Sequence, residues 1–314
     1  MVGNQTMVTE FLLLGFPLGP RMQVLLFGLF SLFYAFTLLG NGAILALSCL
    51  DPRLHTPMYF FLSHLALVDI AYACNTVPQM LLNLLDPALP ISFGGCMTQT
   101  FLFLTFANTE CLLLVMMSYD RYVAICQPLR YSAIMSWRIC IGLVVTSWIL
   151  GVSLALVHLI LLLPLPFCGS QKVDHFFCEI LAVLKVACAD THINEVLVLA
   201  GAASVLVGPF SSIVVSYAHI LGAILKIQSG EGRQKAFSTC SSHLCVVGLF
   251  YGTAIVIAIV MYMAPQSRHP EEQQKILSLF YSLFNPMLNP LIYSLRNAEV
   301  KGALRRALRK ERLM

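Results

Sequence analysis

Charge is what this chain has least of. Asp, Glu, Lys and Arg make up 11% of its 314 residues, 58% are hydrophobic, and the mean hydropathy is +0.81. Soluble globular domains carry about 25% charged residues, so that class is excluded. The formal net charge of +4 raises the question of nucleic acid, but the basic residues lie between long apolar runs, as in membrane orientation; no nucleic-acid partner is expected. The two halves lack the matching broken-helix repeats of a secondary transporter, and no filter ring or pore-lining charge of a channel is present. There is no His-Glu-x-x-His, Gly-x-Ser-x-Gly or paired catalytic aspartate motif, so no enzyme and no catalytic residue are expected. Met1 to Glu10 lacks a basic region ahead of an apolar core, so no cleaved signal peptide is expected and the first span should insert as a signal anchor. Between Asn297 and Met314 there is no Ser, Thr or Cys, which leaves that stretch without an acceptor for Ser/Thr phosphorylation or Cys lipidation.

What is present is a succession of apolar runs. The length accommodates about seven helical spans of ~20 to 27 residues. They read as 23–50, 57–85, a run from Phe101 to Met117, 139–163, 196–225, a sixth ending near Met263, and 273–295. The expectation is an all-α membrane protein, a seven-transmembrane helix bundle with a short amphipathic carboxy-terminal helix. Residues 1–22 form an amino-terminal arm, 23–295 the bundle, and 296–314 the helix and tail. Arg53, Arg130, Arg138, Lys226, Arg233, Lys235 and the group from Arg296 to Arg312 fall on one side, against Arg21, Lys172, Lys185, Arg268 and Lys275 on the other. That asymmetry places the amino terminus outside and the tail in the cytoplasm, which requires an odd number of spans. Asn4-Gln5-Thr6 is then an extracellular glycosylation sequon. In the tail, Val300, Leu304 and Leu308 share one face with Lys301, Arg305, Arg306, Arg309 and Lys310 around them, the pattern of a helix lying on membrane lipid.

Ionisable residues inside spans mark function. Asp120, Arg121 and Tyr122 close the third apolar run; the acid and base can pair with each other, or Arg121 can reach across the bundle, which is the raw material of a switch. Asp69 lies in the second span, about 18 Å from its start, and Glu110 in the third, about 16 Å above Arg121. Two carboxylates at one depth repel unless a sodium ion or a proton lies between them. Phe103, Ala107 and Leu114 share the stripe of Glu110 and Arg121. In the sixth span Tyr251, Ala254, Ile255, Ala258 and Tyr262 form another stripe, whose small residues between tyrosines suggest a lined hollow rather than plain core. Gly40, Asn41 and Gly42 suit close helix approach, with Asn41 bonding across helices. In the seventh span Pro286 and Pro290 each remove a ladder bond, so the helix must bend and lean on Asn289 or water. Cys96, Cys168, Cys178 and Cys188 fall on the outer side, and four cysteines allow three pairings. His175, Cys178 and Glu179 could hold a metal, but Cys178 is better used in a bridge; no metal is expected beyond sodium.

Several stretches resemble the odorant receptors of the rhodopsin-like G-protein-coupled superfamily. They are Leu54-His55-Thr56-Pro57-Met58-Tyr59-Phe60-Phe61-Leu62, Met117 to Cys126, Lys235 to Leu244, Phe250-Tyr251-Gly252 and Pro286 to Asn297. The resemblance implies that Arg121 gates a G protein and that Asn289, Pro290 and Tyr293 rearrange on activation, with Tyr217 and His243 in the same switch. It implies coupling to the olfactory stimulatory G protein and adenylyl cyclase, with receptor kinase and arrestin as further partners, at the plasma membrane of olfactory cilia. It pairs Cys96 with Cys178 and Cys168 with Cys188. It adds Leu104, Asn108, Gly201, Ala202, Val205, Leu279 and Ser282 to the pocket walls. Phe103 stands where aminergic receptors place an acid, and no Arg or Lys lies on the inner walls, so the expected ligand is a small neutral volatile. Lys275, near the rim, is the one base that challenges this.

Overall fold

The computed structural model describes residues 8–168, 171–263 and 270–311, without the side chains of 235, 239, 257–263, 270–271, 295–296, 298 and 308–311. Asn4 lies outside the described residues, and so do the side chains of Ala258 and Tyr262.

The described residues form a bundle of seven membrane-length helical segments. The first is α1 (Pro20–Leu50), beginning three residues earlier than expected because Pro20 takes the first helical turn, where its missing N–H is harmless. Next come α2 (Pro57–Leu85), on the expected bounds, and α3 (Phe93–Cys126), capped by Ser92, whose hydroxyl accepts from the Gly95 amide at 3.1 Å. A short inner helix, α4 (Tyr131–Ile134), precedes α5 (Trp137–Leu162), and a short outer one, α6 (Ile180–Leu184), precedes α7 (His192–Leu225). α8 (Gly230–Met263) is the sixth span. Among the described residues six helices are individually long and apolar enough to cross a membrane. The seventh span is broken into α9 (Pro270–Leu279), a π-helical turn (Phe280–Phe284) and α10 (Asn285–Arg296). The amphipathic α11 (Ala298–Glu311) follows. It is docked on the first inner turn, where Arg306 Nε donates to Asp51 Oδ2 at 2.9 Å, and Asn297 Oδ1 accepts from Tyr59 OH at 3.0 Å.

The break in the seventh span has a different remedy from the expected one. Pro290 cannot donate to the Pro286 carbonyl. That oxygen instead accepts from Asn41 Nδ2 of the first span at 2.9 Å, while the Asn289 amide is turned to Asp69. Gly40 makes the approach feasible, since a Cβ there would stand 2.9 Å from Pro290 Cγ. Gly42 has open space and plays no such part.

The arm is not the plain polar segment the sequence suggests. Residues Glu10–Leu13 form β1, the centre of a three-stranded sheet ordered β2-β1-β3. It runs antiparallel to β2 (Pro90–Ser92), with Phe11 opposite Ile91, and parallel to β3 (Lys172–Val173), with Leu12 opposite Lys172. Phe11 and Leu13 point inward and are buried. Phe11 meets Phe93 and Phe167 at ring-centroid distances of 5.9 and 5.4 Å. This cap and the outer loop share one apolar cluster with the top of the third and fourth spans; the largest cluster lies below it in the bundle.

Candidate functional site

At the inner end of the third span, Asp120 is fully buried and Arg121 Nε donates to its Oδ2 at 3.0 Å in an ion pair. Tyr131 OH donates to the other oxygen at 2.7 Å. One carboxylate thus holds a base from its own helix and a phenol from the inner loop, and desolvation of that phenol, with Asp120 beside it, raises its pKa. Tyr122 leans on His219 of the fifth span, 5.8 Å between rings, and joins the small cluster of Ile220, Ile224 and Cys240. Two turns above Arg121, His243 Nε2 lies 3.2 Å from the Leu114 carbonyl and its Nδ1 lies 2.7 Å from Tyr217 OH. A carbonyl only accepts, so Nε2 carries the proton and Tyr217 donates to Nδ1. Three spans are tied through one imidazole. Tyr293 is buried, and its hydroxyl has no hydrogen-bond partner among the described residues.

In mid-bundle Asn289 Nδ2 sits 3.2 and 3.0 Å from the two oxygens of Asp69. Glu110 is also buried, and its Oε1 has no partner among the described residues. No cluster of three or more His, Cys, Asp or Glu able to hold a metal occurs among the described residues. Of the three residues weighed as metal ligands, Cys178 is in a bridge, and Glu179 caps α6 by accepting from the Ala182 amide at 2.9 Å.

Both disulfides join as the resemblance implies, Cys96 to Cys178 and Cys168 to Cys188. The Cys178 peptide is gripped further from the third span, its N–H donating to Gln99 Oε1 at 2.7 Å and its carbonyl accepting from Thr100 Oγ1 at 2.9 Å. This drives the preceding residues into the bundle. Phe177 is fully buried and stacks on Phe103 at 4.8 Å; Tyr72 and Tyr281 complete the enclosure of Phe103 at 4.9 and 5.6 Å. His175 Nε2 lies 3.2 Å from Ser278 Oγ, which also accepts from Tyr281 OH at 2.8 Å. Burial, then the nearby Lys275 charge, pushes the His175 pKa down to about 3. Lys275 itself is ion-paired with Asp174 and donates to the Gly15 carbonyl at 3.1 Å. The Lys275 ammonium is therefore already engaged. Phe177 and Asp174 were missed in the sequence because their partners lie about 70 and 100 positions away; only Lys275 stood out beforehand.

The remaining wall residues are placed unevenly. Tyr251 is buried against Phe210 at 4.9 Å, and its hydroxyl sits beside the Cys111 thiol without a full hydrogen bond. Ala107, Ala254 and Val205 are half-buried, as is Asn108, which makes no side-chain hydrogen bond among the described residues. Leu279 is buried against the Phe176–Phe177 cluster, and Ser282 spends its donor on the Ser278 carbonyl at 2.7 Å. Ala202 and Ile255 are exposed. Leu104 packs with the outer-loop cluster, and Gly201 faces His158 of the fourth span.

Residues 30–311 match the olfactory receptor family. The chain is 77% identical to mouse Olfactory receptor 2A7 over 314 residues, all of both chains, and 77% identical to human Olfactory receptor 2A25 over 312 residues, 99% of each. Among solved structures it is similar to squid rhodopsin, with a TM-score of 0.74 over 93% of this chain and 86% of that one, at 18% identity. The last likeness is one of fold.

Proposed function

Because the chain belongs to the olfactory receptor family, multi-pass membrane receptors that signal and do not catalyse, we propose that it binds small neutral volatiles in the outer half of the bundle and activates a stimulatory, olfactory-type G protein to raise cyclic AMP. The observation that carries the ligand class is the state of Lys275, whose charge is met by Asp174 and Gly15. A carboxylate ligand would have to break that pairing, and an amine would meet Phe103, Phe177 and Tyr281 with no acid among them. An ester, aldehyde, ketone or alcohol has only to displace ring contacts and find one polar partner, such as Asn108 or Tyr251. With few directional bonds the affinity is micromolar, roughly −8 kcal/mol.

The signal then travels inward. A ligand wedged beside Phe103 and Tyr251 shifts the third span against the sixth, which strains the His243 tie to Leu114. Loss of that tie frees Tyr217 and lets Arg121 exchange Asp120 for a new partner on the G protein. Asp69 and Glu110 share a sodium ion or a proton that holds the resting bundle; the bare Glu110 oxygen supports this, and hard oxygen donors suit sodium. The amino terminus is outside and the tail faces the cytoplasm, at the plasma membrane and in olfactory cilia, with receptor kinase and arrestin acting on the inner loops.

The test is a panel of amines, carboxylic acids and neutral volatiles on cells expressing the receptor with the olfactory G protein, read as cyclic AMP. Neutral members should activate, and Phe103→Ala or Tyr251→Ala should raise the half-maximal concentration about tenfold, near 1.4 kcal/mol, at unchanged surface level. A receptor driven solely by amines or solely by acids sinks the ligand class.

A further inference from the structure

One side-chain amide of the third span serves three elements at once. Gln99 is buried. Its Nε2 donates to the Asn75 carbonyl of the second span at 2.8 Å, and Asn75 Nδ2 donates in return to the Gln99 carbonyl at 2.9 Å. Its Oε1 accepts from the Cys178 N–H of the outer loop at 2.7 Å. Turned over, the amide would set an oxygen against a carbonyl and an NH2 against an N–H, so its partners fix its orientation. The bridge from Cys96 already ties the outer loop to the third span. A bridge alone leaves the peptides on either side of Cys178 free to turn; the bonds from Gln99 to its N–H and from Thr100 to its carbonyl hold both.

Where this clamp sits matters more than its strength. Gln99 lies one helical turn outward of Phe103 on the same face, and Asn75 about one turn outward of Tyr72. Phe177 is the residue before Cys178. The clamped groups are thus the immediate supports of Phe103 and of two rings that enclose it, Phe177 at 4.8 Å and Tyr72 at 4.9 Å. We infer that Gln99 is a positioning residue that sets ligand size: holding the Cys178 peptide and the second span together, it fixes how closely Phe177 and Tyr72 press on Phe103. Phe177 cannot draw back with its backbone unless the Cys178 N–H leaves Gln99, and an unmade bond at a buried site costs more than the bond itself gains. A short ligand beside Phe103 leaves the clamp closed. A long or branched one has to open it. This rests on the odorant-receptor reading and adds to it a determinant of selectivity that lies outside the ring contacts themselves.

The experiment uses the full chain in cells, with a homologous series of neutral esters of rising chain length, cyclic AMP and surface staining read together. Gln99→Met keeps the length of the side chain and removes both of its bonds. It should lower the half-maximal concentration of the longest active ester relative to the shortest by about fivefold, the weight of one net hydrogen bond. Thr100→Val, which releases the Cys178 carbonyl and leaves Gln99 in place, should move that ratio in the same direction. Poorer folding lowers surface level and maximal response together and leaves the ratio alone, so the ratio reports position and not stability. If Gln99→Met fails to reach the surface, Thr100→Val decides: a moved ratio supports the positioning role and an unmoved one overturns it. Loss of both variants from the surface makes the clamp a folding element and overturns it as well. A common shift of every ester in Gln99→Met, or no shift, overturns the positioning role and leaves the receptor reading intact. A wild-type receptor deaf to every neutral compound overturns both.

Discussion

Asn41 and Pro286 are 245 positions apart, yet the side-chain amide of the first donates to the backbone carbonyl of the second at 2.9 Å. The bond replaces the one that Pro290 cannot make, so a side chain of the first span completes the ladder of the seventh. Asn41→Ala should therefore destabilise the bundle by about 1–3 kcal/mol, the penalty of a buried unpaired carbonyl. Thermal unfolding of the purified receptor measures it, and an unchanged midpoint would show that water takes over the bond.

Arg121→Ala should reach the cell surface and give no cyclic AMP response, because it lies at the inner end, remote from the proposed ligand site in the outer half. Tyr131→Phe should act in the opposite direction. It removes one of the two side chains that hold Asp120, loosening the resting pair, so basal cyclic AMP should rise. A silent Tyr131→Phe with normal basal signalling would mean that Arg121 alone fixes the acid.

Glu110→Gln removes a charge whose Oε1 is buried without a partner among the described residues. Basal activity should change, and any dependence of it on sodium should flatten. A sodium titration that is identical in the wild type and variant rules out a shared ion.

The two bridges should differ in weight. Cys96–Cys178 spans 82 positions and Cys168–Cys188 spans 20. On chain-entropy grounds the longer closure stabilises by about 1 kcal/mol more. Cys96→Ser and Cys178→Ser should abolish surface expression, and Cys168→Ser should reduce it less. The ranking by surface staining checks this.

The burial of His175 makes the outer cap sensitive to acid. Its pKa, about 3 in the fold, lies below the ordinary value near 6.5, so between these values the unfolded cap binds the extra proton. Stability is complete above about pH 6.5 and falls as the pH drops towards 3, by about 2 kcal/mol at pH 5. His175→Gln should flatten the difference in unfolding midpoint between pH 7 and pH 5; an equally steep wild type and variant would assign the effect elsewhere.

What the sequence discloses is what depends on local pattern. The second span is legible to the residue because Pro57 opens it and Asp86 follows its last apolar turn. Asp69, Glu110, Asp120 and Arg121 stand out because charge in an apolar run has no ordinary explanation. The two bridges needed the family resemblance, since four outer cysteines alone permit three pairings. The strand Glu10–Leu13 was not legible: four residues carry too little alternation, and its partners lie about 80 and 160 positions away. Phe177 reads as an ordinary loop aromatic until the grip of Gln99 and Thr100 on Cys178 is known.

The π turn at Phe280–Phe284 carries a consequence for comparing the outer halves of related chains. A π turn takes in about one residue more than an α turn, and one residue is about 100° of helical phase. Counting outward from Asn289 along an ideal helix therefore assigns Lys275 and Ser278 to the wrong azimuth. A single-residue deletion inside the turn would rotate everything outward of it by that angle, pulling Ser278 from His175 and Lys275 from Asp174 while leaving Asn289 on Asp69. Pocket positions transferred between chains at this span are therefore sound only where both share the turn, whatever their overall similarity.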